Sequence, residues 1–309
     1  MLSTRQLRYF DALARHRHFG RAAEECAVTQ PALSMQIREM EEALGVRLVE
    51  RGRSGVRLTP VGEEAASRAR GVLAALADME RTIRDRGRLL EGRMRLGVIP
   101  SIAPYLLPRL LPEMAGRWPG VEIALRESQT EQLVNDLAHG DLDLVILSLP
   151  VEHPALETMA LFEDPFLLAV PESSADFSGE TAAAEDILAA DLLLLEDGHC
   201  FRDQALNVCR KVDARQLRRF GASSLSTLAQ LVANGQGVTL LPQMFVASEG
   251  GRIPRVRLLR FPDPAPSRTI GLVWRRTLPF RDDVEQVAAM VRACRPAVQD
   301  GEDRRSALL

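Results

Sequence analysis

The chain has 309 residues, 46% hydrophobic and 26% charged, with a formal net charge of −3, an ordinary globular composition with room for two or three domains of about 100 to 200 residues. No apolar run approaches the roughly 18 residues of a membrane helix, and the N-terminal MLSTRQLRYFDALARHRH carries no apolar stretch after its first charges, so a cytoplasmic chain with neither membrane span nor secretory leader is expected. Four cysteines, Cys26, Cys200, Cys209 and Cys294, are too few and too scattered for a disulfide scaffold and are expected as thiols.

Charge is unevenly spread: the first sixty residues hold ten arginines against seven acids, and the remainder is acidic. A basic N-terminal module on an acidic body fits nucleic-acid contact by the first part alone. In chain order, Leu7, Phe10, Leu13 and Ala14, then Phe19, Ala22 and Ala23, then Leu33, Ile37, Met40 and Leu44 recur at helical spacing, and Gly45 stops the last run. Three short helices are therefore expected. Ala22 and Ala23 let two helices cross closely, Val28 falls in the turn, Thr29 is read as the cap of the third helix, and Pro31 is tolerated in a first turn. The stretch 46–58, VRLVERGRSGVRL, reads as two extended segments about a basic turn, a hairpin wing. Over 59–90 no proline follows Pro60, and Leu73, Leu76, Met79 and Ile83 form one stripe of a long helix. The whole is a helix-turn-helix with a wing, weighed against a plain helical hairpin. The third helix would enter a major groove by its N-terminal end, offering Thr29, Gln30, Pro31, Ala32, Ser34, Gln36 and Arg38, while Arg51, Arg53 and Arg57 approach phosphates or the minor groove.

Beyond Gly92 strands and helices alternate: MRLGVIP, a helix over 105–117, VEIALRES, a helix over 130–138, then LDLVILS. This βαβαβ order argues an α/β fold with a parallel, doubly wound sheet. A second series follows, with PFLLAVP, a helical AAEDILAA, LLLLED, a helix after Gly198, another over 226–234, and GVTLLP. The chain returns through TIGLVW and a closing helix over 282–294, and the final GEDRRSALL reads as a frayed tail. Two α/β lobes with the chain returning to the first make a hinged ligand-binding domain, its cleft at the carboxyl ends of the strands. The expected domains are 1–60 for the DNA-binding module, 61–92 for the linker helix and 93–300 for the regulatory part. Within it, lobe I covers about 93–163 and 269–300, and lobe II about 164–268.

The segment 196–209, EDGHCFRDQALNVC, is singular. If Asp197 caps a helix opened by Gly198, Cys200 lies in its first turn, where unpaired N–H groups and the helix dipole favour a thiolate. His199 and Arg202 add positive charge or hydrogen bonds, and Asp203 opposes them unless it orients Arg202. Cys209 shares an apolar face with Phe201, Ala205 and Val208 and is expected to be a buried, less reactive thiol. On a continuous helix nine rises place the two Cα atoms roughly 13 Å apart, with the side chains on opposite faces. A disulfide tolerates no more than about 7 Å, so bridging the pair requires the helix to give way. Cys26 and Cys294 are read as packing residues. No His or Cys spacing fits a metal and no glycine-rich phosphate loop occurs, so neither metal nor cofactor is expected.

Residues 1–62 closely resemble the LysR-type transcriptional regulators, through FxxAA at 19–23, TQPALSxQI at 29–37, LGVxLxxR at 44–51 and LTxxG at 58–62. The resemblance implies a winged helix-turn-helix, a linker helix that pairs two subunits, and a two-lobed regulatory domain similar to periplasmic binding proteins. Its implied partners are promoter DNA, a second copy in a homodimer and further copies in a homotetramer, and RNA polymerase. The EDGHCxRDQA segment is in turn similar to the redox box of the hydrogen-peroxide-sensing OxyR branch of that family. That likeness implies a peroxidatic Cys200 and a resolving Cys209: peroxide gives a sulfenic acid at Cys200, which Cys209 attacks to form a disulfide. Promoter binding then changes and antioxidant genes are activated. The same branch surrounds the sulfur with hydroxyls, matched here by Ser101 in IPSIAPYLLP and Thr130 in ESQTEQL. The first is commonly threonine in the branch, and Ser101 lacks the methyl that restricts the rotamer. The expectation is a regulator and not an enzyme. Its alternatives are a LysR-type regulator answering a small metabolite in the inter-lobe cleft, and a thiol peroxidase, which the DNA module argues against.

Overall fold

The computed structural model describes residues 2–52, 55–84, 89–174, 177, 179–182, 191–196, 200–208, 217–249 and 253–296. Contacts divide the chain into two compact units: Met1–Gly87 with Ala138–Asp141 and Arg275–Pro279, and Arg88–Leu137 with Leu142–Trp274 and Phe280–Leu309.

In the first unit α1 (Thr4–His16), α2 (Phe19–Glu25) and α3 (Gln30–Leu44) precede an antiparallel hairpin of β1 (Val49–Gly52) and β2 (Gly55–Leu58), then α4 (Pro60–Arg84). Each start has its own chemistry. The Ser3 hydroxyl accepts from the Gln6 backbone while the Gln6 side chain accepts from the Ser3 backbone, a reciprocal cap on α1. His18 caps α2, its Nδ1 accepting from the N–H groups of Gly20 and Arg21 at 3.1 and 3.3 Å. Thr29 holds the N-cap position of α3 with an extended backbone, but its side chain makes no cap bond, contrary to the sequence reading. Pro31 removes one of the two N–H groups that such a cap would serve.

Phe10, Leu13, Phe19, Ala22, Ala23, Leu33, Ile37, Met40 and Leu48 close one core. Leu44, expected on the same stripe, is exposed because it ends the helix and Gly45 (φ 70°) turns the chain aside. Glu41 Oε1 accepts the N–H groups of Leu48 and Val49 at 2.7 and 3.0 Å, which ties the hairpin to α3. The Thr59 hydroxyl accepts from Gly62 N–H and donates to the Arg47 carbonyl, both at 2.9 Å, and so caps α4. A Cβ on Gly62 would overlap the Leu48 carbonyl, so this motif glycine permits close approach of two backbones. Helix α4 is described over Pro60–Arg84, and 85–88, within the expected linker helix, lie outside the described residues. Along its stripe Leu73 and Leu76 are half-buried, and Met79 and Ile83 are exposed. Asp78 is buried, accepting from Arg275 Nε and Nη2 at 3.1 and 2.8 Å and from the Thr277 hydroxyl at 2.6 Å.

In the second unit β3 (Arg93–Val98), α5 (Ala103–Arg117), β4 (Glu122–Glu127), α6 (Thr130–His139) and β5 (Leu144–Leu149) follow the βαβαβ order, with β3 parallel to both β4 and β5. Then come β6 (Leu156–Pro171), β7 (Leu192–Leu195), α7 (Cys200–Val208), β8 (Leu217–Ala222) and α8 (Leu225–Ala233). The last elements are β9 (Thr239–Pro242), α9 (Gln243–Glu249), β10 (Val256–Arg260), β11 (Ser267–Arg275) and α10 (Arg281–Ala293). The sheet order is β10-β6-β11-β5-β3-β4 with β9 also on β6, and β7 and β8 pair in parallel. The parallel core is as read from sequence, but β11 returns antiparallel to β5, and β9 and β10 run antiparallel to β6. Strand β5 is buried along almost its whole length, which explains its continuous apolar run. Strands β8 and β10 and helix α9 had no assignment from periodicity, and the AAEDILAA segment lies outside the described residues. Among the described residues no helix is long and apolar enough to cross a membrane.

Candidate functional site

Three adjacent parallel strands, β5, β3 and β4, bring Ser148, Ser101 and Thr130 to their carboxyl ends, the edge at which open α/β sheets hold ligands. Ser101, 5% exposed, lies in the loop between β3 and α5. Thr130 opens α6, and its hydroxyl is buried without a hydrogen-bond partner among the described residues. Such an orphan costs about 1–3 kcal/mol, which a small polar guest would offset.

Helix α7, described over Cys200–Val208, is tied to this edge. Gln204, one turn on, donates through Nε2 to Ser148 Oγ, while its Oε1 is buried and unpartnered. Phe201, 1% exposed, meets Phe166 edge to face at 5.5 Å and lies 5.6 Å from the Arg268 guanidinium carbon, a ring-and-cation arrangement favourable in a desolvated place. Arg268, on β11, donates from Nη1 to Ser101 Oγ at 2.8 Å, from Nη2 to the Ser101 carbonyl at 3.0 Å and from Nε to Asp164 Oδ2 at 3.0 Å. Asp164, on neighbouring β6, accepts the Met244 N–H on its other oxygen at 2.9 Å. The buried charge is thus paired and hydrogen-bonded on both sides, as burial demands.

The remaining candidates divide. Arg202 donates from Nη1 to the Leu195 carbonyl at the end of β7, at 3.0 Å, and Asp203 is exposed. The Leu195 carbonyl is thus one partner that holds Arg202. Asp197, Gly198, His199 and Cys209 lie outside the described residues. Cys26 and Cys294 are free thiols. Burial pushes both thiols up, with Glu25 adding to the effect at Cys26 and Glu113 at Cys294, so neither is a ready nucleophile. Burial also pushes the Tyr105 phenol up to about 12, against the opposing hydrogen bond with Ser226. Among the described residues no group of three or more His, Cys, Asp or Glu could hold a metal ion.

On the first unit Gln30 opens α3 and is exposed, as are Thr29 and Pro31, while Ala32 and Ser34 are half-buried. Gln36 donates to Glu39 at 2.7 Å and Arg38 to Glu42 at 2.9 Å. The Arg38 pair is 78% and 64% exposed, worth about 0–1 kcal/mol, and exchanges easily for a phosphate. Arg57 is exposed on β2; Arg53 and the side chain of Arg51 lie outside the described residues.

Residues 4–63 match the bacterial regulatory helix-turn-helix proteins of the lysR family, and residues 87–295 match the LysR substrate binding domain. The chain belongs to the LysR family. Among its relatives, the DNA-binding transcriptional dual regulator OxyR of Escherichia coli K12 is 42% identical over 292 residues, 94% of this chain and 95% of that protein. The hydrogen peroxide-inducible genes activator of Haemophilus influenzae is 36% identical over 300 residues, 97% of this chain and 99% of that one. A full-length OxyR variant from Pseudomonas aeruginosa superposes with a TM-score of 0.73 at 34% identity, over 97% of this chain and 99% of its own. A hydrogen-peroxide-bound variant of Corynebacterium glutamicum OxyR gives 0.65 at 32%, over 94% and 92%. Within the LysR family the chain lies in the OxyR branch, and its likeness to periplasmic binding proteins is one of fold.

The likeness to the peroxide-sensing branch points to Ser101 and Thr130 but not to Arg268, Asp164, Ser148 or Gln204. One signal was available: an arginine inside the apolar strand RTIGLVW, and an aspartate in FEDPFLLAV, are polar residues where a strand is otherwise buried. That they pair across 104 positions is visible only in the fold.

Proposed function

We propose that this LysR-family regulator binds promoter DNA as a homodimer and homotetramer and senses hydrogen peroxide through Cys200 and Cys209, thereby activating antioxidant genes. Gln30, with Thr29, Pro31, Ala32, Ser34, Gln36 and Arg38, faces the major groove, and Arg51, Arg53 and Arg57 of the wing take phosphates. The exposed Met79 and Ile83 on α4 support pairing of two copies through the linker helix. RNA polymerase is the partner through which activation is read.

At the sensing edge, Ser101 and Thr130 bind the peroxide oxygens, and His199 and Arg202 supply positive charge or hydrogen bonds. The Cys200 thiolate at the head of α7 attacks one oxygen: an S–O bond forms, the O–O bond breaks, and the departing hydroxide takes a proton to leave as water. The Cys209 thiol then attacks the sulfenic sulfur; an S–S bond forms and a second water leaves. Helix α7 is continuous over Cys200–Val208, so bridging unwinds it and releases its ties at Gln204 and Phe201, the discrete rearrangement a switch needs. The observation that carries this reading is the buried Thr130 hydroxyl, without a hydrogen-bond partner among the described residues, at the head of the helix after β4, the strand next to the one that leads to the fixed Ser101.

The test is thiol trapping with peptide mass spectrometry on the full chain before and after a stoichiometric dose of hydrogen peroxide, with DNA footprinting of both samples. A bridge between Cys200 and Cys209 and a changed footprint are expected. Unreacted Cys200 with an unchanged footprint would overturn the reading in favour of a metabolite ligand.

A further inference from the structure

Asp164 is a buried carboxylate, 2% exposed, on the strand next to Arg268. Its two oxygens do different things: Oδ2 holds the Nε edge of Arg268 at 3.0 Å, and Oδ1 accepts the Met244 N–H at 2.9 Å. The carboxylate is therefore anchored to the backbone on one side and grips the guanidinium on the other. A guanidinium is planar and rigid, so fixing its Nε edge also fixes where Nη1 and Nη2 point. Here they point at Ser101, at 2.8 Å to Oγ and 3.0 Å to the carbonyl. Because the Ser101 oxygen accepts from Arg268, the one hydrogen of that hydroxyl is left to donate to another acceptor. A donor aimed at the departing oxygen is what cleavage of an O–O bond requires, since negative charge develops there.

We infer that Asp164 is a positioning residue for peroxide capture, acting through Arg268 to fix the Ser101 hydroxyl as a donor to the guest. The inference rests on the peroxide-sensing reading above. It also accounts for a serine at this position: orientation that a threonine methyl would supply by sterics is supplied by the Asp164–Arg268–Ser101 relay.

The test compares two reagents on the same thiol. Rates of Cys200 modification by hydrogen peroxide and by iodoacetamide, which needs no peroxide pocket, are measured by quenched mass spectrometry on the full-length wild type, Asp164→Asn, Asp164→Glu and Ser101→Ala. Asp164→Asn should slow the peroxide reaction by about tenfold to a hundredfold, the scale of a misplaced reacting group, and leave the iodoacetamide rate within about twofold. Asp164→Glu keeps the charge, so it remains informative if the asparagine variant does not fold. It should show a smaller loss of the same selectivity. In a Ser101→Ala background neither Asp164 substitution should cost a further loss, because the two positions act as one unit. Equal loss with both reagents, no loss, or additive loss with Ser101→Ala would each overturn the inference. A wild-type Cys200 that peroxide does not oxidise would instead overturn the sensing reading beneath it.

Discussion

Arg268 Nη1 donates to Ser101 Oγ at 2.8 Å, joining residues 167 positions apart in the chain, while the same guanidinium grips Asp164. A lysine at 268 would keep the charge but present a point donor that cannot serve both partners at once. Arg268→Lys is expected to lower stability by about 1–3 kcal/mol, the penalty of leaving a buried acceptor unmet, and to blunt the peroxide-dependent footprint. Thermal denaturation and footprinting check both parts, and a variant as stable and as responsive as wild type would remove Arg268 from the site.

The background thiols should stay silent. Burial raises both Cys26 and Cys294, and each unit of rise lowers the thiolate fraction about tenfold. Under a stoichiometric dose of peroxide both should be recovered reduced. Cys200→Ser should abolish the response and Cys209→Ser should weaken or prolong it. Oxidation appearing first at Cys26 or Cys294 would contradict this ordering.

DNA binding and folding of the first unit should separate by mutation. Gln30→Ala removes an exposed side chain at the head of α3 and should weaken specific binding by about 1–3 kcal/mol, roughly tenfold to a hundredfold, with an unchanged thiol-trapping pattern. Gly62→Ala places a methyl against the Leu48 carbonyl and should cost about 1–3 kcal/mol of stability, losing DNA binding as a consequence. Titration of labelled promoter DNA, beside melting curves, distinguishes the two.

Acid should loosen the contact between the first two helices. Arg15 and His16 both reach Glu25, at 3.1 and 2.6 Å, and the hydrogen bond from Arg15 chiefly holds that carboxyl below the usual range. A lowered folded value means the contribution is complete above the ordinary glutamate value of about 4.3 and is lost as pH falls through the lowered one. The pair is well exposed, so the effect is small and weakens with salt. Wild type should melt slightly above Glu25→Gln at pH 7, and the gap should narrow steadily as pH is lowered below about 4; a gap that does not shrink with acid would exclude this origin.

Local rules made the helices and the wing legible, because helical periodicity, stop signals at Gly45 and close-packing alanines act over a few residues. They also placed Cys200 in the first turn of a helix, while Ser101 and Thr130 came from the likeness to the peroxide-sensing branch. They erred at Thr29, which makes no side-chain cap bond, and did not reach the Leu195 carbonyl to which Arg202 turns. Strands β8 and β10 escaped because LRRFGA and VRLLR lack clear alternation.

The sequence by itself determined the three helices and wing of the first unit, the βαβαβ start of the second and the branch of the family, since all of these are written in contiguous residues. Only the tertiary structure decided what surrounds the sensing edge. Ser148, Ser101 and Thr130 become neighbours because β5, β3 and β4 lie side by side, and Arg268 meets Asp164 because β11 returns next to β6. A lone buried arginine is prohibitive and a paired one is tolerable, so its role followed from partners that spacing along a chain does not encode.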